Sequence, residues 1–235
     1  MNILVTGASK GIGKAIAQEL KTCGNVFGVS RNEDALKTLN LDGYFVCDMA
    51  KESELIKLGN FIETNKIDVL VNNAGEYIYS SVSDTNLNEL EHIFALNTKA
   101  PIYLTSRAVN YMKEQRFGRI VNVGSISGVM GEAYASLYSA SKAALIGFSK
   151  AAGLELAEFG ITVNTINPGW VDTELGRESI EDSEFSEREI LETVPQKRFV
   201  APKEVAGLVK YLISDEAKGI TGQSINLCAG LSVGI

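Results

Sequence analysis

Tyr138 and Lys142 stand four residues apart in Leu137-Tyr138-Ser139-Ala140-Ser141-Lys142. At that spacing both side chains share one face of a helix. Such a pair is common and says little by itself. Here Ser125 ends a β-rich run thirteen residues before Tyr138, and Asn97 interrupts a helical stretch carrying Ile93, Phe94 and Leu96. A buried polar side chain in a helix interior needs a partner. Together the four residue types suit proton transfer at a carbonyl, where a ketone becoming an alcohol takes a hydride on carbon and a proton on oxygen. A phenol, with a reference pKa of about 10, is a slow donor and a poor base unless tuned. A neighbouring ammonium favours phenolate and moves that pKa toward neutrality. The Ser125 hydroxyl can polarise and orient the carbonyl, and Asn97 can hold a water between Lys142 and solvent. By spacing, Ser127 and Ser139 fall outside the set.

A second constellation opens the chain. The run Asn2-Ile3-Leu4-Val5-Thr6 reads as a buried strand, followed by Gly7-Ala8-Ser9-Lys10-Gly11-Ile12-Gly13 and an amphipathic helix. In such a loop Gly7 allows a tight turn, Gly11 admits a pyrophosphate to the backbone, and Gly13 lets the helix pack close to the sheet. The helix N-terminus then offers free N–H groups to phosphates. The second strand ends Val29-Ser30-Arg31. An NAD site places a carboxylate at this strand end, on the ribose 2′-hydroxyl. Arg31 and Lys10 instead suit the 2′-phosphate of NADPH, unless Arg31 simply faces solvent. Asp48 closes the third strand, where it could also cap the next helix. Asn72-Asn73-Ala74-Gly75 makes a polar turn at the carboxyl end of the fourth strand, the edge at which ligands bind in doubly wound folds. Asn167-Pro168-Gly169-Trp170-Val171-Asp172-Thr173 turns the chain after the sixth strand, with Trp170 either a substrate wall or a surface aromatic. His92, the single histidine, reads as a surface or packing residue.

The elements that must hold these groups alternate regularly. Strands are predicted at 2–6, 25–29, 44–47, 67–71, 118–124, 161–167 and 223–227, most of them continuously apolar, as strands covered on both faces are. Ile12, Ile16, Leu20 and Cys23 line one helical face, and Val205, Leu208, Val209 and Leu212 another. Strand–helix–strand repetition at this spacing predicts right-handed βαβ units and a parallel sheet with helices on both faces. One segment departs from this, from Asp172 to Glu192. Glu174, Glu178, Glu181, Asp182, Glu184, Glu187, Glu189 and Glu192 face only Arg177 and Arg188. It reads as a solvated surface helix or as a lid, with lid boundaries at 172–200.

Length and composition narrow the classes further. The chain of 235 residues suits one doubly wound domain, and 45% apolar with 22% charged residues excludes disorder, collagen and coiled coil. Lys plus Arg number 22 against 29 Asp plus Glu, a net charge of −7, which disfavours nucleic acid as a partner. No apolar run reaches the roughly 18 residues of a membrane helix. Three cysteines without a CxxC pair suit a reducing compartment, and one histidine argues against a structural zinc or other metal site. With a strand starting at Asn2, a cytoplasmic protein without targeting peptide is expected.

The TGxxxGxG spacing of Thr6 to Gly13, the Asn72-Asn73-Ala74-Gly75 turn and the Ser125, Tyr138, Lys142 arrangement resemble the short-chain dehydrogenase/reductase family over nearly the whole chain. The resemblance implies a single-domain α/β doubly wound Rossmann fold over 1–235, with a mostly parallel seven-stranded sheet. It implies Asn97, Ser125, Tyr138 and Lys142 as the catalytic tetrad, with Lys142 also on the nicotinamide ribose beside Tyr138. For the cofactor, NADP(H), it implies contacts from Gly7, Ser9, Lys10, Gly11, Ile12 and Gly13, and from Ser30 and Arg31. It further implies Asp48 on the adenine amino group with Met49 beside it, and Asn73, Ala74 and Gly75 at the ribose. Pro168 and Gly169 turn the chain at the nicotinamide, with the Val171 backbone and Thr173 side chain on its carboxamide.

Local stretches at 118–125, 144–150 and 160–164 are similar to bacterial 3-oxoacyl-[acyl-carrier-protein] reductases, and sugar, polyol and steroid dehydrogenases share them. The implied activity interconverts a ketone and a secondary alcohol on a small-molecule ketone or acyl thioester substrate, as 3-oxoacyl-[acyl-carrier-protein] reductases do in fatty acid synthesis. A sugar, polyol or cyclic ketone substrate is an alternative, and a non-catalytic dinucleotide-binding sensor or scaffold is another, against which the intact tetrad speaks. A homotetramer is also implied, joined through the helices of Asn97 and Tyr138 and through the last strand with its nearly uncharged tail, Cys228 to Ile235. Docking of an acidic acyl carrier protein requires cations at the mouth of the cleft. Arg116 and Arg119 are basic as in those reductases, whereas Phe159 replaces a basic residue, the lid is acidic and Ala229-Gly230 replaces a Gly-Gly pair.

Overall fold

The computed structural model describes residues 1–181 and 185–233. Seven strands form one sheet: β1 (Asn2–Thr6), β2 (Asn25–Ser30), β3 (Gly43–Val46), β4 (Val69–Asn72), β5 (Gly118–Val123), β6 (Ile161–Pro168) and β7 (Ser224–Leu227). Their order is β3-β2-β1-β4-β5-β6-β7, and every neighbouring pair is parallel. All seven predicted strands are found, with boundaries shifted by a residue or two. Strand order reverses between β1 and β4, which opens a crevice at their carboxyl ends.

The strands read as unbroken apolar runs because both faces are covered. Ile3 and Val5 of β1 point into one core, with Ile16, Ala17 and Leu20 of α1 (Gly11–Leu20) and Val205, Val209 and Leu212 of α10 (Pro202–Leu212). Leu4, between them, points into the opposite core. That core holds α3 (Glu52–Thr64), α5 (Ala100–Gln115) and α7 (Ser136–Leu156) through residues such as Leu58, Leu104 and Leu156. A period of two in side-chain direction thus becomes two apolar layers around one sheet.

Five shorter α-helices are found among the described residues: α2 (Glu33–Lys37), α4 (Leu87–Phe94), α6 (Ser127–Met130) and the pair α8 (Glu174–Glu181) and α9 (Glu187–Thr193). The acidic segment is therefore helical over most of its described length. Ile190, Val194 and Val200 are buried, and Val171 and Val200 form a parallel bridge, so its second half is anchored more firmly than its composition suggests. Of the lid range 172–200, Asp182, Ser183 and Glu184 lie outside the described residues, as do Gly234 and Ile235 of the tail. Among the described residues no helix is long and apolar enough to cross a membrane.

A buried polar ladder fixes α7 on the sheet. Asn72 Nδ2 donates to Asn122 Oδ1 (2.8 Å), Asn122 Nδ2 donates to Ser149 Oγ (2.8 Å), and Thr165 Oγ1 donates to the same Ser149 (2.8 Å). These groups come from β4, β5, α7 and β6. Buried polar groups left unpaired are costly, so the ladder permits one register of α7 and penalises the others.

Candidate active site

A cleft of about 380 Å³ runs along the carboxyl edge of the sheet, from the glycine loop to Ser125, Tyr138 and Lys142. At its outer end a Cβ on Gly13 would run into the Gly7 carbonyl, so only glycine lets α1 start this close to β1. Gly7 and Gly11 take φ of +66° and +53°, the left-handed region glycine adopts without strain. No side chain caps the first turn of α1 and no acid lies in it. Its free N–H groups can therefore take an anion, and the loop fits a dinucleotide pyrophosphate.

The sugar end departs from the sequence reading in one respect. Ser30 Oγ donates to Ser9 Oγ (2.8 Å) and accepts from the Asn32 N–H (3.1 Å), so the strand end carries hydroxyls as expected. The two cations, however, are not free. Lys10 pairs with Glu174 of α8 (2.5 Å), and Arg31 pairs with Glu76 (3.0 Å). Glu76 follows the Asn72–Gly75 turn directly and also binds His92 Nε2 (2.7 Å). Acids distant in sequence thus supply the partners that the local sequence around Lys10 and Arg31 lacks. Asp48 lines the cleft beside the buried Met49, and its Oδ1 also accepts from the Ala50 N–H (3.2 Å). Asn73 donates to the Thr6 carbonyl (2.9 Å), tying its turn to β1 and placing Ala74 and Gly75 on the cleft wall. Ile12, Pro168, Gly169, Val171 and Thr173 line it as well, and Trp170 is a wall residue. Thr173 Oγ1 accepts from the Gly176 N–H (3.1 Å) at the start of α8.

At the inner end Asn97 sits, fully buried, in a π-helical turn (Ala95–Lys99) between α4 and α5. Such turns inside α-helices re-aim side chains at functional sites. Both ends of the Asn97 amide are engaged: Oδ1 accepts from the Glu76 N–H (3.0 Å), and Nδ2 donates to the Glu76 carbonyl (2.9 Å) and to Ser141 Oγ (3.1 Å). Its side chain clamps the Gly75-Glu76 turn to α7. A Cβ on Gly75 would press on both Asn97 Oδ1 (3.0 Å) and Lys142 Nζ (3.2 Å), so the clamp and the lysine share one tight corner.

Tyr138 and Lys142 occupy the first two turns of α7, as their spacing predicts. Lys142 is buried, donates to the Val123 carbonyl (2.9 Å), and lies 5.8 Å from the Tyr138 ring centroid. Burial, with a smaller push from the Glu132 charge, raises the Tyr138 phenol to about 12 against the pull of its hydrogen bond with Ser125. Burial pushes Lys142 down to about 8. The sequence reading expected the ammonium to draw the phenol toward neutrality. Instead both groups sit at the dry end of the cleft, where desolvation favours the neutral form of each.

Ser125 is buried at the end of β5. Its Oγ accepts from the Ser127 N–H (3.1 Å) and donates to Ser127 Oγ (3.1 Å). Ser127, set aside by spacing, therefore belongs to the site, and Ser139 does not line the cleft.

The short chain dehydrogenase family pattern matches residues 1–184. The chain belongs to the short-chain dehydrogenase family. It is thus an oxidoreductase acting on CH–OH groups with a nicotinamide cofactor. A 3-oxoacyl-[acyl-carrier-protein] reductase from Buchnera aphidicola is 36% identical over 236 residues, covering 97% of this chain and 96% of the relative. Among solved structures, YwfH, an NADPH dependent reductase involved in bacilysin biosynthesis, superposes with a TM-score of 0.94 at 31% identity, covering 100% and 99% of the two chains. A variant of actinorhodin polyketide ketoreductase with NADPH gives 0.92 at 37%, covering 99% and 97%.

Within this short-chain dehydrogenase, sequence reasoning passed over Glu76, Tyr77, Ser127, Glu132 and Leu231, all on the cleft wall. Glu76 had one usable signal, its place next to Gly75. Ser127 opens the short α6 and Tyr77, Glu132 and Leu231 stand outside helices and strands, so none leaves a periodic trace. Arg116 and Arg119 require a correction. They stand at the amino end of β5, and Ser125 follows its carboxyl end, so both lie at the sheet edge opposite the cleft. Arg119 is buried, with Nη1 on the Gly118 and Gly160 carbonyls, and Arg116 donates to the Glu158 carbonyl. Neither supplies a cation at the mouth of this chain's cleft.

Proposed function

We propose that the chain is an NADPH-dependent reductase of small ketones and β-keto thioesters. The observation carrying this reading is the meeting of Ser125, Tyr138 and Lys142 at one end of a cleft whose other end is an uncapped helix N-terminus with a glycine loop. NADPH supplies the hydride when bound. Tyr138 gives its proton to the carbonyl oxygen, for which a phenol held neutral by burial is in the correct state. Ser125 orients that oxygen by hydrogen bonding. Lys142 holds the inner wall and restores the proton to Tyr138. Ser9, Ser30, Lys10 and Arg31 receive the 2′-phosphate, and the two cations exchange their carboxylate partners for it.

The test is NADPH consumption with acetoacetyl-CoA and with diacetyl. Tyr138→Phe lowers kcat by roughly 10²–10⁴-fold while NADPH still binds, as expected for loss of a positioned general acid. Retention of more than about a tenth of kcat rejects the assignment.

The likeness to carrier-protein reductases supports a thioester substrate, and the position of Arg116 and Arg119 speaks against docking an acidic carrier at this cleft. Acetoacetyl-carrier-protein is expected to exceed acetoacetyl-CoA in kcat/KM by less than about tenfold. A large preference that collapses with salt overturns this, since steered charge pairing is screened by salt. A four-copy assembly belongs to the same reading.

A further inference from the structure

Glu132 stands between α6 and α7, next to Gly131, whose φ is +78°. It reaches into the cleft beside the reacting groups. Oε1 accepts from the Tyr77 hydroxyl (2.8 Å) and Oε2 from Ser127 Oγ (2.6 Å). Ser127 in turn accepts from Ser125, and the Tyr77 ring packs edge-on against the Tyr138 ring with centroids 5.0 Å apart. The carboxylate is thus two hydrogen bonds from one member of the tetrad and one ring from another. Its partners are hydroxyls and not a cation, so its charge is held but not neutralised. Each oxygen keeps acceptor capacity beyond the one bond it receives. The field reaches the neighbouring phenols, since Glu132 adds to the upward pKa shifts of both Tyr77 and Tyr138.

Resting on the reductase reading above, we propose that Glu132 is the specificity-determining residue of the substrate half of this cleft. It rejects ketones that carry an anionic group close to the carbonyl, the keto acids, and admits their uncharged esters, thioesters and hydroxyketones. Repulsion is only half of the effect. The free acceptor positions favour a substrate hydroxyl or amide N–H, whereas a substrate carboxylate brings more acceptors and a like charge. A second unit charge about 6 Å away, in a partly desolvated cleft with an effective dielectric near 20, changes relative binding about 100-fold.

The measurement is kcat/KM for acetoacetate and for methyl acetoacetate, which share the ketone and differ in charge, with NADPH and the intact protein. The ratio of ester to acid is expected to fall about 100-fold in Glu132→Gln, through a gain on the acid. Gln keeps the size of the side chain and can still accept from Tyr77 or Ser127. Ser127→Ala and Tyr77→Phe remove the donors but leave the charge, so both are expected to keep the wild-type ratio. A ratio in Glu132→Gln within threefold of wild type overturns the proposal. So does a ratio that collapses equally in Ser127→Ala, because that is the mark of a merely structural role. Where neither acetoacetate compound turns over, the same charge comparison is read from inhibition of diacetyl reduction. Acetoacetate inhibiting wild type and Glu132→Gln equally overturns the proposal as well. Absence of NADPH oxidation with diacetyl and every other ketone is a different result, and rejects the reductase reading itself.

Discussion

Lys142 shows how one residue serves stability and chemistry in opposite senses. Burial lowers its pKa from 10.5 to about 8. Between those pH values the unfolded chain holds a proton that the native state has released, so stability rises with pH through that window. Below pH 8 both states are charged and the cost of burying the ammonium is fully present. A shift of this size corresponds to roughly 3 kcal/mol. Lys142→Met is expected to be more stable than wild type at pH 7, less an offset of about 1 kcal/mol for the orphaned Val123 carbonyl. The gap should narrow by pH 9.5, as read by urea denaturation at both values, while turnover is lost throughout. A gap that does not change with pH removes Lys142 as the cause. Ser30 offers a second test. Ser30→Asp sets a carboxylate beside Ser9 and Arg31 and is expected to reverse or erase a preference for NADPH over NADH in kcat/KM. Equal use of both cofactors by the wild-type protein contradicts the roles given to Lys10 and Arg31. The meeting of Ser125, Tyr138 and Lys142 was legible because their spacing is set by a helix and a strand end. Glu76 and Glu132 were not, because lone loop acids acquire meaning only when distant residues meet them.

At the level of elements, the strands announced themselves through apolar runs, since covering both sheet faces removes polar alternation. The π-helical turn gave only an indirect sign, the placement of Asn97 on an otherwise apolar stretch. Acidic composition suggested that the 172–200 segment is loosely held, but it hid the burial of Ile190, Val194 and Val200. That burial divides the segment. α8 faces the cleft through Glu174, Leu175, Gly176 and Ser179, and an exposed ion pair to Lys10 joins it to the glycine loop. α9 is anchored by Ile190 and carries a full capping box between Ser186 and Glu189. Hydrogen exchange at 174–181 is expected to slow when NADPH and a ketone or inhibitor are bound, with residues 187–193 changing little. Equally slow exchange at 174–181 with and without ligand excludes a lid.

Across the whole molecule, Leu87 of α4 and Leu154 of α7 are 74% and 82% exposed, on the two helices nearest Asn97 and Tyr138. Large apolar side chains left in the open on those helices fit burial by further copies. Sedimentation at micromolar concentration is expected to give four copies, and Leu154→Glu fewer; a wild-type monomer contradicts this. The misplaced docking cations show what a linear reading lost: a residue just before a strand and one just after it lie on opposite edges of the sheet. The same geometry bears on the order in which the protein can be made. β6 pairs with β7, and Leu231, beyond β7, lines the cleft. A nascent chain stopped at residue 223 already holds the glycine loop, Asn97, Ser125, Tyr138 and Lys142. It still lacks β7 and Leu231 of the cleft lining. In the order of synthesis the groups at the dry end of the cleft thus precede the strand that borders β6, and a chain made only that far carries them on six strands.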